Sequence, residues 1–171
     1  MPQVVDAVAD RVPVVAAGGL FDGRGLAAAL CLGADGVWVG TRFIATPEAR
    51  AVSGYKDTLV ATGEDGTVVS RAYTGKPCRV VRNEWTRHFE DHPDELAPFP
   101  QQVAVSAHAG ANHLGHPDGT DADPTREFYP AGQGVGAIDS LVPAGELVHR
   151  IVDEAEATLA RVDGLRGLVA R

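Results

Sequence analysis

The chain has 171 residues, 44% hydrophobic and 22% charged, the balance of a globular protein with one ordinary core rather than of a disordered segment. Its formal net charge of −8 argues against nucleic-acid binding and against a polybasic membrane contact, while a small anion can still be held by backbone amides. Two cysteines, Cys31 and Cys78, are too few for a secreted disulfide framework. No apolar run reaches the ~20 residues that span a bilayer, and no charged-then-apolar leader opens the chain, so a cytoplasmic protein is expected.

Gln3 to Arg11 places Val4, Val5 and Val8 on one helical face and predicts a short amphipathic helix. Val12 to Ala17 (VPVVAA) is continuously apolar and rich in β-branched residues, the pattern of a strand buried on both faces of a parallel sheet, with Pro13 near its start. After Gly18 and Gly19, Asp22 is positioned to cap a helix from Gly23 to Leu32, which Gly33 ends. Gly36 to Val39 (GVWV) reads as the next buried strand, completing a right-handed βαβ unit. Thr46 and Pro47 predict a helix from Pro47 to about Thr62. Thr67 to Tyr73 and Cys78 to Val81 fit either a hairpin or a strand-turn-helix. Asp91 to Pro130 is rich in Pro, His, Gly and Asp and reads as mostly loop, with a helix near Phe99 to Ala111. Pro143 to Val162 is an amphipathic helix with Leu147, Val148, Ile151, Val152, Ala155, Leu159 and Val162 on one face.

Glycine stands at the tip of both early strands. A phosphate bound by main-chain N–H groups needs the backbone within hydrogen-bond distance, and a Cβ aimed at its oxygens would block that approach. Gly18, Gly19 and Gly40 remove the obstacle, and Thr41 adds a hydroxyl. Adjacent parallel strands end side by side, so two such tips can converge on one anion, as in the loops after the last two strands of eight-stranded barrels. The alternative is that these glycines only make tight strand-to-helix turns.

The stretch AAGGLFDGRGLAAALCLGADGVWVGTRFIATPEA, together with TGKPCRVVRN at Thr74 to Asn83 and YPAGQGVGAI at Tyr129 to Ile138, resembles the C-terminal part of nitronate monooxygenases, formerly called 2-nitropropane dioxygenases. The resemblance implies an α/β fold, the last two strands of a (β/α)8 TIM barrel plus a mostly helical C-terminal extension. Residues 1–62 would end the barrel and 63–171 form the extension, with a final helix at about 143–162. It implies noncovalent FMN and the oxidation of alkyl nitronates by O2 to a carbonyl compound and nitrite. Carried over by motif, the FMN phosphate contacts fall on Gly18, Gly19, Gly40 and Thr41, with Trp38 and Val39 on the strand leading in and Gln133 near the flavin. The residues that would serve as the family's catalytic base precede the part seen here, so no catalytic residue is assigned. The chain is expected to be a fragment inactive alone, forming a homodimer or completed by an N-terminal barrel fragment. The glycine-tip unit also resembles FMN-dependent enoyl-acyl-carrier-protein reductases, and a non-catalytic flavin-phosphate binder or supporting fragment is the reading from outside enzymology.

Among the remaining residues, His108, His113 and His116 lack companion ligands at metal spacing and read as solvated loop histidines, and His88 and His92 as surface residues. Arg71, Lys76, Arg79, Arg82 and Arg87 form a basic segment that either serves an anion or pairs with Asp and Glu. Cys31 is expected to be packed among apolar neighbours, Cys78 is not expected to be a nucleophile, and Trp85 is expected to fill a core.

Overall fold

The computed structural model describes residues 1–9, 11–113 and 122–165. Contacts divide it into two units, Met1–Gly40 with the chain from Val142 on, and Thr41–Leu141. The first unit opens with helix α1 (Pro2–Val8), strand β1 (Val15–Ala17), helix α2 (Gly23–Cys31) and strand β2 (Gly36–Trp38). α1 stops short of the expected Arg11, whose guanidinium instead donates to the carbonyls of Ala7 and Val8. The two strands pair in parallel, Val15 with Gly36, Ala16 with Val37 and Ala17 with Trp38. Each is shorter than its apolar run. Val14 is held by Asp35 instead, donating its amide to the carboxylate at 2.7 Å and accepting the Asp35 amide at 2.8 Å. The strands are not buried on both faces as their composition predicts: Val15 is 53% and Trp38 73% exposed, because each strand has one neighbour among the described residues and neither face is fully covered. The α2 cap is as expected, with the Asp22 carboxylate accepting from the Gly25 amide at 2.9 Å. Cys31, expected in the packed face, is exposed; the buried face of α2 is Gly23, Ala27 and Ala29.

The second unit contains α3 (Thr41–Ile44), α4 (Tyr55–Ala61), the hairpin of β3 (Thr67–Ser70) and β4 (Cys78–Val81), α5 (Glu84–Asp91) and α6 (Gln101–His108). Of the single helix expected from Pro47 to Thr62 only the second half forms, as α4. The Thr46 hydroxyl donates back to the Phe43 carbonyl at 2.8 Å instead of capping forward, and the chain enters α4 through Gly54 at φ 74°. β3 and β4 pair antiparallel from Thr67 with Val81 to Ser70 with Cys78, which decides for the hairpin. α5 escaped periodicity; a capping box between Asn83 and Thr86 starts it. The stretch expected to be mostly loop has a buried end: Val80 bridges Pro130, Val81 donates to the Tyr129 carbonyl and Ala131 donates to the Arg79 carbonyl. That backbone pairing seats Tyr129 against Tyr55, rings stacked at 4.7 Å, in a cluster with Val52, Leu59, Val135 and Ile138. A second cluster gathers Tyr73, Val80, Phe89 and Phe128, the Tyr73 and Phe128 rings 4.5 Å apart.

Helix α7 (Ala144–Gly164) returns to the first unit and packs on α2. It buries Leu147, Ile151 and Ala155, the first two worth about 1.5–3 kcal/mol each by apolar burial. Val148, Val152 and Val162, expected on the same buried face, are exposed, because α2 is short and presents a narrow alanine-lined surface. Gly23 lets the helices meet: a Cβ there would lie 2.3 Å from the Ile151 carbonyl oxygen and 2.5 Å from the Ala155 nitrogen. The Gly23 amide donates to the Glu154 carboxylate at 3.0 Å. Among the described residues no helix is long and apolar enough to cross a membrane.

Candidate functional site

The first unit carries the paired tips. Because Ala17 pairs with Trp38, Gly18 and Gly19 follow the end of β1 at the level where Val39 and Gly40 follow β2, with neighbouring parallel strands about 4.8 Å apart. Gly18 has φ 108° and Gly19 φ 70°, the left-handed region that side chains other than glycine enter at a cost. A Cβ built at Gly18 or at Gly40 would meet no atom within 4 Å, so open space lies beyond both tips. Among the described residues, the amides of Gly18, Gly19 and Gly40 donate to no loop carbonyl or side chain. Free amides beside open space suit a ligand rich in acceptor oxygens, and the residues present therefore fit a phosphate group. Trp38, the last residue of β2, presents an exposed indole, and Val39 is half-buried.

The second unit carries Thr41 and Gln133. Thr41 begins α3, and its Oγ1 accepts the Gly132 amide at 2.9 Å. Gln133, the next residue, is exposed and opens a 3-10 turn, Gln133–Ala137, anchored by buried Val135. Thr41 and the GQG loop are thus brought together from positions ninety-one residues apart. The neighbouring Arg42 is buried and donates to the Ser140 carbonyl at 2.9 Å, which fastens α3 from its other side.

A buried polar network escaped the sequence. Glu127 is fully buried, and its carboxylate accepts the His113 amide at 2.8 Å and meets His113 Nδ1 at 2.6 Å. His113, expected to be a solvated loop residue, is therefore a partner of a core carboxylate. Tyr73 and Asn83 both donate to the Glu127 carbonyl, at 3.0 and 2.9 Å. No spacing in the sequence links these residues. His116 lies outside the described residues, and among those described no three His, Cys, Asp or Glu side chains converge as metal ligands. His88 is exposed and bonded to Glu95 at 2.7 Å. Trp85 packs as expected, its Nε1 donating to the Ala72 carbonyl. The basic segment disperses: Arg71 donates to the Gly75 carbonyl, Arg79 to Thr67, and Lys76 sits over the Phe99 ring. Burial pushes the Cys78 thiol pKa up, away from the reactive thiolate.

Fold and comparisons together define an α/β chain whose relatives bear the names of oxidoreductases. The chain belongs to the nitronate monooxygenase family, whose profile matches residues 1–154. A protein of Mycobacterium tuberculosis that bears a monooxygenase name is 38% identical over 96% of this chain and 44% of its own length. Among solved structures, FabK from Thermotoga maritima is 33% identical with a TM-score of 0.75, covering 95% of this chain and 51% of that one. A nitroalkane oxidase from Streptomyces ansochromogenes is 30% identical with a TM-score of 0.76, covering 94% and 45%. The chain spans about half the length of these relatives.

Proposed function

We propose that this chain carries the phosphate end of an FMN site in an enzyme that oxidises alkyl nitronates with O2 to a carbonyl compound and nitrite. The observation that carries the reading is the pair of glycine tips on adjacent parallel strands, whose amides donate to no loop carbonyl or side chain among the described residues, with open space beyond Gly18 and Gly40. Gly18, Gly19 and Gly40 would donate main-chain hydrogen bonds to the phosphate oxygens, where any side chain would stand in the way. Thr41, next in the chain, would add a donor, since its oxygen accepts from Gly132 while its own proton stays available. Trp38 would supply an apolar wall. FMN, when bound, would supply electron acceptance and reaction with oxygen, leaving this chain to bind, orient and exclude water.

Family membership and the likeness to a nitroalkane oxidase support the nitronate reading. The two-stranded sheet, with Val15 and Trp38 exposed, gives the flavin ring little enclosure, so the purified chain by itself is expected to bind FMN weakly and to release no nitrite. Fluorescence titration of FMN, paired with nitrite release from propyl-2-nitronate, tests both halves. Absence of any competition between FMN and inorganic phosphate would overturn the phosphate site, and clear turnover by the chain alone would overturn the second expectation.

The likeness to FabK at 33% identity favours a second reading, an FMN-dependent enoyl reductase. NADH oxidation with a crotonyl thioester, without nitronate activity, in the whole protein would select it.

A further inference from the structure

We propose that the second unit holds a separate site for a sugar phosphate, in a groove of roughly 400 Å3 between α4, the start of α5 and the turn at Asp123 to Thr125. Thr58 and Thr62 line it from α4, Arg82, Glu84 and Arg87 from the segment that opens α5, and Thr125 from the turn. The walls are fastened to one another. The Arg82 amide donates to the Gly66 carbonyl at 2.8 Å and the Glu84 amide to the Thr125 carbonyl at 2.9 Å. Asn83, between them, caps α5 by accepting the Thr86 amide at 3.1 Å. Both arginines therefore project from a fixed backbone.

Their charge is available. Arg82 has only a loose pairing with Glu90 at 3.7 Å, half-exposed on both sides, which is worth little. Arg87 is exposed, and among the described residues its guanidinium has no hydrogen bond or ion pair. Among the lining residues two guanidinium groups stand beside the single carboxylate of Glu84, and guanidinium forks match phosphate oxygens. The threonines and Glu84 select what the phosphate is attached to. Thr62 donates its proton to the Thr58 carbonyl at 2.6 Å and Thr125 donates to the Asp123 carboxylate at 2.7 Å, so both oxygens are left as acceptors. Glu84 is an acceptor as well. A ligand that offers an anion to the arginines and hydroxyl donors to these oxygens is a phosphorylated sugar, whether free or as the ribose phosphate of a nucleotide.

Calorimetric titration of the 171-residue chain at fixed ionic strength tests this, with ribose 5-phosphate, AMP, ribose and inorganic phosphate as separate arms. Ribose 5-phosphate or AMP should bind more tightly than ribose or phosphate alone, and the tighter of the two identifies the source. R82A and R87A should each weaken that binding by about tenfold or more. E84Q should weaken the sugar phosphate and leave inorganic phosphate unchanged or tighter. Since all three side chains are exposed, unchanged circular dichroism will show that the variants fold. The proposal is overturned if neither phosphorylated ligand gives a saturable isotherm, if the R82A/R87A double variant binds them as tightly as the wild-type chain, or if E84Q weakens all anions alike.

Discussion

The amide of Gly132 donates to the hydroxyl oxygen of Thr41 at 2.9 Å, joining the residue after the second glycine tip to the loop that carries Gln133. Thr41→Val keeps the shape and removes the acceptor. A loss of about 1 kcal/mol in folding stability is expected from the orphaned amide, together with weaker FMN binding, while Thr41→Ser should retain both. Urea unfolding and flavin titration check this; equal FMN affinity in the valine and wild-type chains would remove Thr41 from the site.

Gly40 separates ligand binding from folding. A Cβ there meets nothing within 4 Å, so Gly40→Ala should change stability by no more than about 0.5 kcal/mol, yet put a methyl group where the phosphate oxygens would approach. Gly18→Ala has the same open space but must hold φ 108°, and should cost about 1–2 kcal/mol besides. An alanine at position 40 that leaves flavin and phosphate binding untouched would contradict the assignment.

Gly23 has the opposite character. Gly23→Ala forces its new carbon to within 2.3 Å of the Ile151 carbonyl oxygen, and because backbone cannot swing aside like a side chain, α2 and α7 must separate. The expected loss is about 1–3 kcal/mol, seen as a lower melting temperature. An unchanged melting curve would mean that the two helices do not pack as described.

Glu127 is the anchor of the buried polar network. Glu127→Ala leaves the His113 amide and the space around it unsatisfied, and should destabilise the second unit by about 1–3 kcal/mol. Amide exchange near His113 should rise at the same time, and protection equal to wild type would argue that water already serves that amide.

Alkaline pH should unfold the chain before the strong-base range. Burial pushes the Tyr129 pKa up to about 12 and raises those of Tyr55 and Tyr73 further, while an unfolded tyrosine titrates near 10. These hydroxyls favour folding fully below pH ~10, and their contribution is lost as pH rises from there toward the folded values. Melting temperature should fall across that window as tyrosinate absorbance at about 295 nm lags behind that of free tyrosine. Coincident titration of all the tyrosines near 10 without loss of structure would disprove the burial.

Local chemistry was legible in the sequence wherever one short segment decided it. Asp22 as a cap, the α2 helix, the two β-branched runs and the glycine tips follow from neighbours a few residues apart, and so did the family resemblance. Tertiary contacts decided the rest. The exposure of Trp38 and Val15 could not be read from apolar runs, because burial depends on how many strands lie alongside. The start of α4 at Gly54, the pairing of Pro130 with Val80, the seat of Glu127 beneath His113 and the close approach of α7 to Gly23 are set by shape and hydrogen bonds between residues that no local sequence pattern links. Propensity and periodicity act over a turn or a strand, whereas packing and the satisfaction of buried polar groups are set by whatever the folded chain brings within a few ångströms.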